Sequence, residues 1–170
     1  MFVEFEGKKD PNSVCSFLYS FLDEKLKEMP DVRHIILFSD SYGGQNKNII
    51  VLKFYAWFSS VFNVTMKHFF LVRGHFFNQC NRNFEIYGNT FKNVETVECP
   101  EQYLAIINQS RLKPKLFEAV MASQLIVNWV SALEPLFCKR PKSKGCVFRI
   151  QKYAILRYTP TSFFVSQNYS

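Results

Sequence analysis

The feature that most constrains the fold of this chain is the alternation of short apolar runs with longer segments of helical character. The run "HIILFS", residues 34 to 39, is continuously apolar up to its last residue, as in strands buried on both faces. The segment 48–62, "NIIVLKFYAWFSSVF", is apolar almost all round and predicts a buried helix beginning near Asn48. The next run, "VTMKHFFLVR", predicts a second strand. Strand, helix and strand in this order indicate an α/β fold with parallel strands and a right-handed crossover.

Other segments extend this pattern on both sides. The apolar stretch from Ala119 to Leu133 has 15 residues, whereas a membrane span needs about 20, so it predicts a buried helix and no membrane segment. The remaining predictions are a strand at 2–7, "FVEFEG", helices at 14–26, 78–91 and 100–111, and a short strand at 94–98, "VETVE". The predicted fold class is therefore α/β, with a mixed sheet flanked by helices.

The charge of the chain is concentrated in its last third. Residues 1–110 contain 11 Lys and Arg against 12 Asp and Glu, and residues 111–170 contain 10 against 2. This change in composition divides the chain into an α/β domain, 1–110, and a basic C-terminal extension or subdomain, 111–170. A localised basic surface attracts polyanions, although many basic surfaces are only solvated.

The most basic segment runs from residue 139 to 157 and contains no acidic residue. Phe148, Tyr153 and Tyr158 are interleaved with its cations or follow them. Cations for phosphates and rings for stacking are the groups that bind single-stranded DNA or RNA. A basic strand pair whose aromatic residues face the core has the same composition, and both interpretations stay open. The candidate nucleic-acid-binding cations are Lys139, Arg140, Lys142, Lys144, Arg149, Lys152 and Arg157.

A carboxylate and a glycine-rich turn follow the first predicted strand. Asp40 ends the strand, and Gly43 and Gly44 come directly after it. Functional groups collect at the carboxyl ends of strands in open α/β sheets, so Asp40 and a second acid could hold Mg²⁺ or Mn²⁺. Alternatively, Asp40 caps the loop and the glycines supply positive φ. Ser39 lacks the frame of a serine nucleophile, and His75 lacks partners at zinc-ligand spacing.

Two blocks of the sequence resemble a known family. "LFSDSYGGQNKN" is similar to the "(Y/F)SDNCGGQNKN" signature of an uncharacterised domain family that is abundant in insect and other invertebrate genomes and is regarded as derived from transposable elements. "FLVRGHFFNQCNRNFEIY" is similar to its second block, roughly "FLxxGHSxxxCDRDFGxIE", and the likeness covers about residues 1–110. The matching positions besides Asp40 are Ser39, Gly43, Gly44, Gln45, Asn46, Asn48, Gly74, His75, Cys80, Arg82 and Phe84.

The resemblance implies an RNase H-like transposase or integrase core in which Asp40 would be the second catalytic acid. The third acid would then lie at Asn81 or Asn83, 41 and 43 residues after Asp40. Because an amide lacks the charge that balances a divalent cation, these positions are degenerate, and Asp40 is a remnant catalytic and metal-ligand position. The first two strands of such a core are also expected to be missing. The resemblance thus implies a truncated, inactive domain that needs no cofactor, with Mg²⁺ or Mn²⁺ as the metal only if the ancestral site survives.

Three functional hypotheses follow. The first is a catalytically inactive transposon-derived domain that binds DNA or RNA through its basic third. The second is a metal-dependent nuclease that uses Asp40, His75 and an acid such as Glu85. The third is a protein-interaction domain that docks a partner on the apolar helix 48–62 and on an exposed sheet edge. Five cysteines without a C-x-x-C pair and the lack of a signal-like start predict an intracellular protein, nuclear or cytoplasmic.

Overall fold

The computed structural model of the chain describes residues 10–41, 46–71, 79–94, 96–111, 113, 117–119, 126–137 and 148–168. Within these ranges the chain forms five α-helices, two short 3-10 helices and four strands. The helices are α1 (Pro11–Glu28), α2 (Ile49–Phe62), α3 (Gln79–Phe91), α4 (Pro100–Gln109) and α5 (Trp129–Leu133), with 3-10 helices at Glu134–Leu136 and Ile150–Lys152. The strands are β1 (His34–Asp40), β2 (Thr65–Leu71), β3 (Ile155–Tyr158) and β4 (Phe163–Ser166).

The four strands form one mixed sheet in the order β1-β2-β3-β4. β1 and β2 are parallel and are joined through α2, whereas β3 is antiparallel to both β2 and β4. The α/β class is therefore confirmed. The RNase H-like topology stays a prediction.

Side-chain caps fix the ends of the helices around the sheet. The Asp10 carboxylate accepts a hydrogen bond from the Ser13 amide at 2.9 Å and begins α1, and the Asn48 side chain accepts one from Ile50 N at 2.8 Å and begins α2 as predicted. Asn63 ends α2 in the left-handed region, with φ of 52°.

The core lies between the sheet and the three helices α1, α2 and α5. Phe54 and Phe58 of α2 are fully buried, and Trp129 of α5 meets Phe54 edge-on with ring centroids 4.9 Å apart. The Trp129 indole donates to Ser16 Oγ at 3.0 Å and so ties α5 to α1. The buried cluster comprises Cys15, Leu22, Val51, Leu52, Phe54, Tyr55, Phe58, Val64, Met66, Phe70, Trp129, Leu133, Ile150, Leu156 and Tyr158.

The prediction that the first strand is buried on both faces is wrong. Along β1, exposed and half-buried residues alternate, and Ile36 and Phe38 are 61% and 59% exposed. In the described part of the chain β1 pairs with β2 alone, and only one of its faces meets the core. A run of apolar residues does not distinguish a strand that is buried on both faces from one that is buried on a single face.

Two further predictions are also wrong. The apolar stretch 119–133 is helical only from Trp129 onward in its described part, because the Asn128 side chain accepts from Ser131 N at 3.2 Å and begins α5 there. The segment "VETVE" forms no strand at the described residues 94 and 96–98. The strand predicted at 2–7 lies outside the described residues.

The chain divides into two compact units. The sheet unit contains all four strands with α1, α2 and α5. The helical unit contains α3 and α4, which pack through the stacked rings of Phe91 and Tyr103 at 4.2 Å between centroids. The predicted boundary after residue 110 does not separate these units, because β2 and β3 come from opposite sides of it and share one sheet.

Among the described helices, none is long and apolar enough to cross a membrane.

Candidate functional site

The two faces of the sheet have different surroundings. One face of the sheet meets the core, and it carries Ile35, Leu37 and Ser39 of β1 and Met66, His68 and Phe70 of β2. The opposite face, called here the open face, includes Ile36, Phe38, Lys67, Phe69, Arg157 and Phe164. Sequence alternation assigns the faces, since successive side chains of a strand point to opposite sides.

Aromatic rings stand exposed on the open face. Phe38 and Phe164 are 59% and 55% exposed, although aromatic side chains are largely buried in most proteins. Phe38 stacks on Phe69 of the neighbouring strand with centroids 5.2 Å apart and planes 15° apart. Ile155 of β3, which lies opposite Phe69 on the same face, is buried.

Two cations lie directly opposite each other on this face. Lys67 of β2 and Arg157 of β3 are partners in the antiparallel register, and both are exposed. Like charges at opposite positions repel and destabilise a sheet by a few tenths of a kcal/mol, up to about 1 kcal/mol. The two ion pairs found among the described residues both lie within α1, so neither cation is paired with an acid there.

The rings and the cations form two adjacent rows across the strands. One row runs Ile36, Lys67, Arg157 and Phe164, and the other begins with Phe38 and Phe69. The Lys67 ammonium lies 4.8 Å from the centroid of the Phe69 ring, within cation–π range. Adjacent strands are about 4.8 Å apart, so the first row spans about 14 Å. Asp40, the last residue of β1, is on the same face as Ile36. It lies four residues after Ile36, which corresponds to about 13 Å along the strand.

On the core-facing side, Ser39 and His68 form a hydrogen-bonded pair. Ser39 Oγ lies 2.8 Å from His68 Nε2 and 3.0 Å from the carbonyl oxygen of Asp40, while His68 Nδ1 has no hydrogen-bond partner in the described part of the chain. A proton on Nδ1 would leave a buried donor unsatisfied, at a cost of about 1–3 kcal/mol. The proton therefore sits on Nε2 and is donated to Ser39 Oγ, which itself donates to the Asp40 carbonyl.

This tautomer decides what the pair can do chemically. Because Nε2 already carries a proton, His68 cannot accept one from Ser39 and is not its general base. Burial, together with the nearby charge of Lys47, lowers the pKa of His68 from its ordinary 6.5 to about 4. The histidine is therefore neutral near pH 7 and positions the end of β1.

Lys47, from the family-like loop, lies close to this pair. It is 8% exposed, and its ammonium lies 4.9 Å from the centroid of the Phe70 ring. Burial lowers its pKa, because desolvation disfavours the charged form. No acid forms an ion pair with it among the described residues.

Asp40, the predicted metal ligand, is held by an amide. Its Oδ1 accepts a hydrogen bond from Asn46 Nδ2 at 2.8 Å, a loop-capping contact of the kind expected from the alternative interpretation. Within the described residues there is no group of three or more His, Cys, Asp and Glu side chains that could hold a metal ion. Of the motif residues of this region, Asn48 caps α2, and Gly43, Gly44 and Gln45 lie outside the described part.

The second block of the resemblance falls in the helical unit. Asn83 Oδ1 accepts a hydrogen bond from Arg111 Nη1 at 3.0 Å, so this degenerate acid position makes a contact between α3 and the residue that follows α4 by two positions. Cys80, Arg82, Phe84 and Glu85 are exposed along α3. Asn81 lies in α3, but its side chain is not among the described ones. Gly74 and His75 lie outside the described residues.

Of the seven predicted nucleic-acid-binding cations, three are described. Arg149 and Lys152 are exposed beside the 3-10 helix Ile150–Lys152, and Arg157 lies on the open face. Tyr158 is fully buried in the core, as the strand-pair interpretation requires, whereas Phe148 is 38% exposed and stacks on Tyr153 at 5.2 Å. The other four cations, Lys139, Arg140, Lys142 and Lys144, fall outside the described residues.

Sequence reasoning missed most of the open face. Phe38, Lys67, Phe69 and Phe164 were assigned to buried strands or left unassigned. One available signal was Lys67 in the middle of an apolar strand, because a lysine is almost never fully buried without a partner. Its position opposite Arg157 depends on a register between strands 90 residues apart, which no local pattern contains.

No protein-family model, no curated protein and no solved structure matches this chain. The transposon-related resemblance therefore stays a prediction carried by the two blocks of motif residues.

Proposed function

We propose that this protein binds single-stranded nucleic acid on the open face of its sheet. The observation that carries the proposal is the exposed pair Lys67 and Arg157, two cations that form no ion pair with any described acid and lie opposite each other beside the exposed rings of Phe38 and Phe164. A phosphate between the two cations would turn a mutual repulsion into two attractions. Exposed rings at the same surface can stack on bases, and base stacking contributes about 1–3 kcal/mol per base.

The chemistry of this surface favours single strands over duplexes. Four-stranded sheets with exposed aromatic rings are used to splay out and stack two or three unpaired bases. In a duplex the bases are stacked on one another, so flat rings on a sheet gain nothing from them. The distance of about 14 Å across the row from Ile36 to Phe164 accommodates two or three nucleotides of an extended strand.

The proposal also retains the non-catalytic interpretation of the family resemblance. The positions that would supply the third acid are Asn81 and Asn83, and the amide oxygen of Asn83 is engaged by Arg111. Asp40, the remaining acid of that set, is hydrogen-bonded to Asn46. We therefore propose a transposon-derived domain that holds a nucleic acid without cleaving it, with its binding surface on the open face of the sheet, to which the basic segment 139–157 contributes Arg157.

The test compares two double variants by fluorescence anisotropy with labelled oligonucleotides. K67Q/R157Q removes two cations from the open face, and R149Q/K152Q removes two described cations from the predicted basic segment, so the net charge changes equally. Each lost phosphate contact reduces the slope of log Kobs against log[salt] by about 0.7 for single strands. We expect K67Q/R157Q to reduce the slope by about 1.4 and R149Q/K152Q to leave it close to that of the natural sequence.

Other outcomes separate the alternatives. Equal slopes for K67Q/R157Q and the natural sequence would refute the open-face site, and a reduction only in R149Q/K152Q would assign binding to the basic segment. F164A should weaken binding without changing the slope, because a ring contributes stacking and no ion release. Cleavage of the oligonucleotide in Mn²⁺ that disappears in D40N would replace the proposal with the nuclease hypothesis.

A further inference from the structure

A cavity of about 410 Å³ lies beside the turn that joins β3 to β4, and we call it the α2 cavity. Its walls come from three segments of the sheet unit: α2 between residues 56 and 61, residues 136 and 137, and the turn at 159–163. All of the lining residues are described. Phe163 is the register partner of the buried Tyr158, so this wall lies on the core-facing side of the sheet. The volume falls within the range of about 300–1,000 Å³ that is typical of small-molecule sites.

Hydrogen bonds hold the walls of the α2 cavity in place. In the turn, Thr159 N donates to Ser162 O at 2.8 Å, and Ser162 N donates to Thr159 Oγ1 at 3.0 Å. Phe137 N donates to Glu134 O at 3.4 Å at the end of the 3-10 helix Glu134–Leu136. The remaining wall is the helix α2 itself. A cavity with such walls is preformed, and a ligand does not have to supply the free energy to order it.

Aromatic rings form much of the lining. Trp57, Phe137 and Phe163 all contribute to it. The Trp57 ring is held by Trp129, with 5.2 Å between centroids, and Phe163 stacks on Tyr158 at 5.3 Å with planes 30° apart. Because aromatic rings gain from offset-stacked and edge-on contacts with other rings, these walls favour a planar aromatic ligand.

Exposed apolar side chains and hydroxyl groups also line the cavity. Val61 and Leu136 are 57% and 59% exposed, and a ligand with an apolar body would remove part of this surface from water. Ser60 and Thr161 supply hydroxyl groups that can donate hydrogen bonds. The lining therefore fits a ligand that has an apolar ring and a polar group.

A cation stands next to one of the ring walls. Lys53 lies one helical turn before Trp57 on the same side of α2, and its ammonium is 5.5 Å from the centroid of the Phe137 ring. A ligand carboxylate at this end of the cavity would gain a charge-assisted interaction with the ammonium. The polar group of the ligand is thus expected to be an anion.

We infer that the α2 cavity binds a small aromatic carboxylate, with its ring against Trp57, Phe137 and Phe163 and its carboxylate toward Lys53. This site lies on the core-facing side of the sheet, whereas the proposed nucleic-acid surface is the open face. The inference rests on the cavity and its lining and does not require nucleic-acid binding.

The first experiment uses two ligand probes of the same shape, 2-naphthoate and the neutral 2-naphthamide. The chain has two tryptophans, so a ¹H–¹⁵N spectrum of the full chain shows two indole signals, which W57F assigns. We expect 2-naphthoate to shift the Trp57 signal with a Kd of about 0.1–1 mM, as for a ligand of this size. The Trp129 indole, which donates to Ser16, should shift less. The neutral 2-naphthamide should bind about three-fold to ten-fold more weakly, because it lacks the charge.

Two single variants locate the anionic group. K53Q should reduce the affinity for 2-naphthoate to that for 2-naphthamide and leave 2-naphthamide binding unchanged. K27Q removes the same charge from an exposed position of α1 in the same unit and should leave both affinities unchanged. S60F changes an exposed position of α2 that lines the cavity. Its larger side chain should fill the space and weaken both probes at least about ten-fold.

Several results would overturn the inference. These are a Trp57 signal that 2-naphthoate leaves unshifted up to about 5 mM, equal affinities for the two probes, or a K53Q variant that binds 2-naphthoate as K27Q does. A dipeptide amide, N-acetyl-leucyl-phenylalaninamide, that binds more tightly than 2-naphthoate would make the cavity a peptide site instead. The comparison of the two probes uses the natural chain, so it decides the outcome even if a variant does not fold. Because no measurement contains nucleic acid, failure here is distinct from failure of the open-face site.

Discussion

Replacement of His68 should remove a large part of the acid sensitivity of the sheet unit. The side chain is 1% exposed, and burial is the main reason its pKa falls from 6.5 to about 4. In the unfolded chain the same histidine binds a proton near its ordinary pKa. Between these two values the unfolded state binds more protons than the folded state, so stability falls as the pH decreases.

The magnitude follows from the separation of the two pKa values. Each unit of difference corresponds to 1.36 kcal/mol, so the complete effect is about 3 kcal/mol, fully present above pH 6.5 and lost by about pH 4. Between pH 7 and pH 5 the expected loss is about 2 kcal/mol. Small domains have a total stability of about 5–15 kcal/mol, so this loss is readily measured.

The assay is urea unfolding at pH 7 and pH 5, followed by tryptophan fluorescence. Both tryptophans of the chain, Trp57 and Trp129, lie in the sheet unit with ring centroids 5.2 Å apart, so the signal reports on that unit. In H68F the stability should fall by about 2 kcal/mol less than in the natural sequence. H34Q, which replaces an exposed histidine of β1, serves as the comparison variant measured in the same way.

The reasoning is refuted if H68F and the natural sequence lose the same free energy between the two pH values. Such a result would mean that His68 titrates at its unfolded pKa, and that it is more accessible to water than its position between Tyr55 and Phe70 implies. A direct check is the NMR titration of the His68 ring, whose midpoint should lie well below 6.

Three further predictions concern other parts of the chain. R157Q should raise the unfolding temperature of the free protein slightly, because it removes the repulsion from Lys67, a gain of a few tenths of a kcal/mol. An unchanged or lower temperature would argue against this repulsion. At Asn63, where φ is 52°, N63G should be neutral or stabilising and N63A destabilising by about 1 kcal/mol, which urea titration would measure; the reverse order would contradict the left-handed assignment. Cys80, which is exposed, should react quickly with a thiol reagent at pH 8, whereas Cys15 should react only on unfolding, since it is fully buried and burial raises its pKa. Peptide mass spectrometry reads the two sites separately, and rapid labelling of Cys15 would contradict the packing of α1.

The helices were the most predictable elements because their signals are local. The segment from Asn48 onward carries its own cap and an apolar surface, and α2 forms at Ile49–Phe62 as its pattern predicts. Pro100 likewise begins α4. Residues 126–128 were expected to be helical and are not, because length and hydrophobicity do not reveal that Asn128 caps a helix at Trp129.

The sequence by itself determined the α/β class, the parallel pair β1 and β2 with their helical connection, and the surplus of positive charge in the last third. These properties depend on composition and on periods of two to four residues, which a short window contains. Only the tertiary structure decided that one face of β1 is exposed, that His68 meets Ser39, and that Lys67 faces Arg157. Each of these contacts joins residues at least 29 positions apart, and the pairing that creates them is selected by the packing of the whole sheet unit.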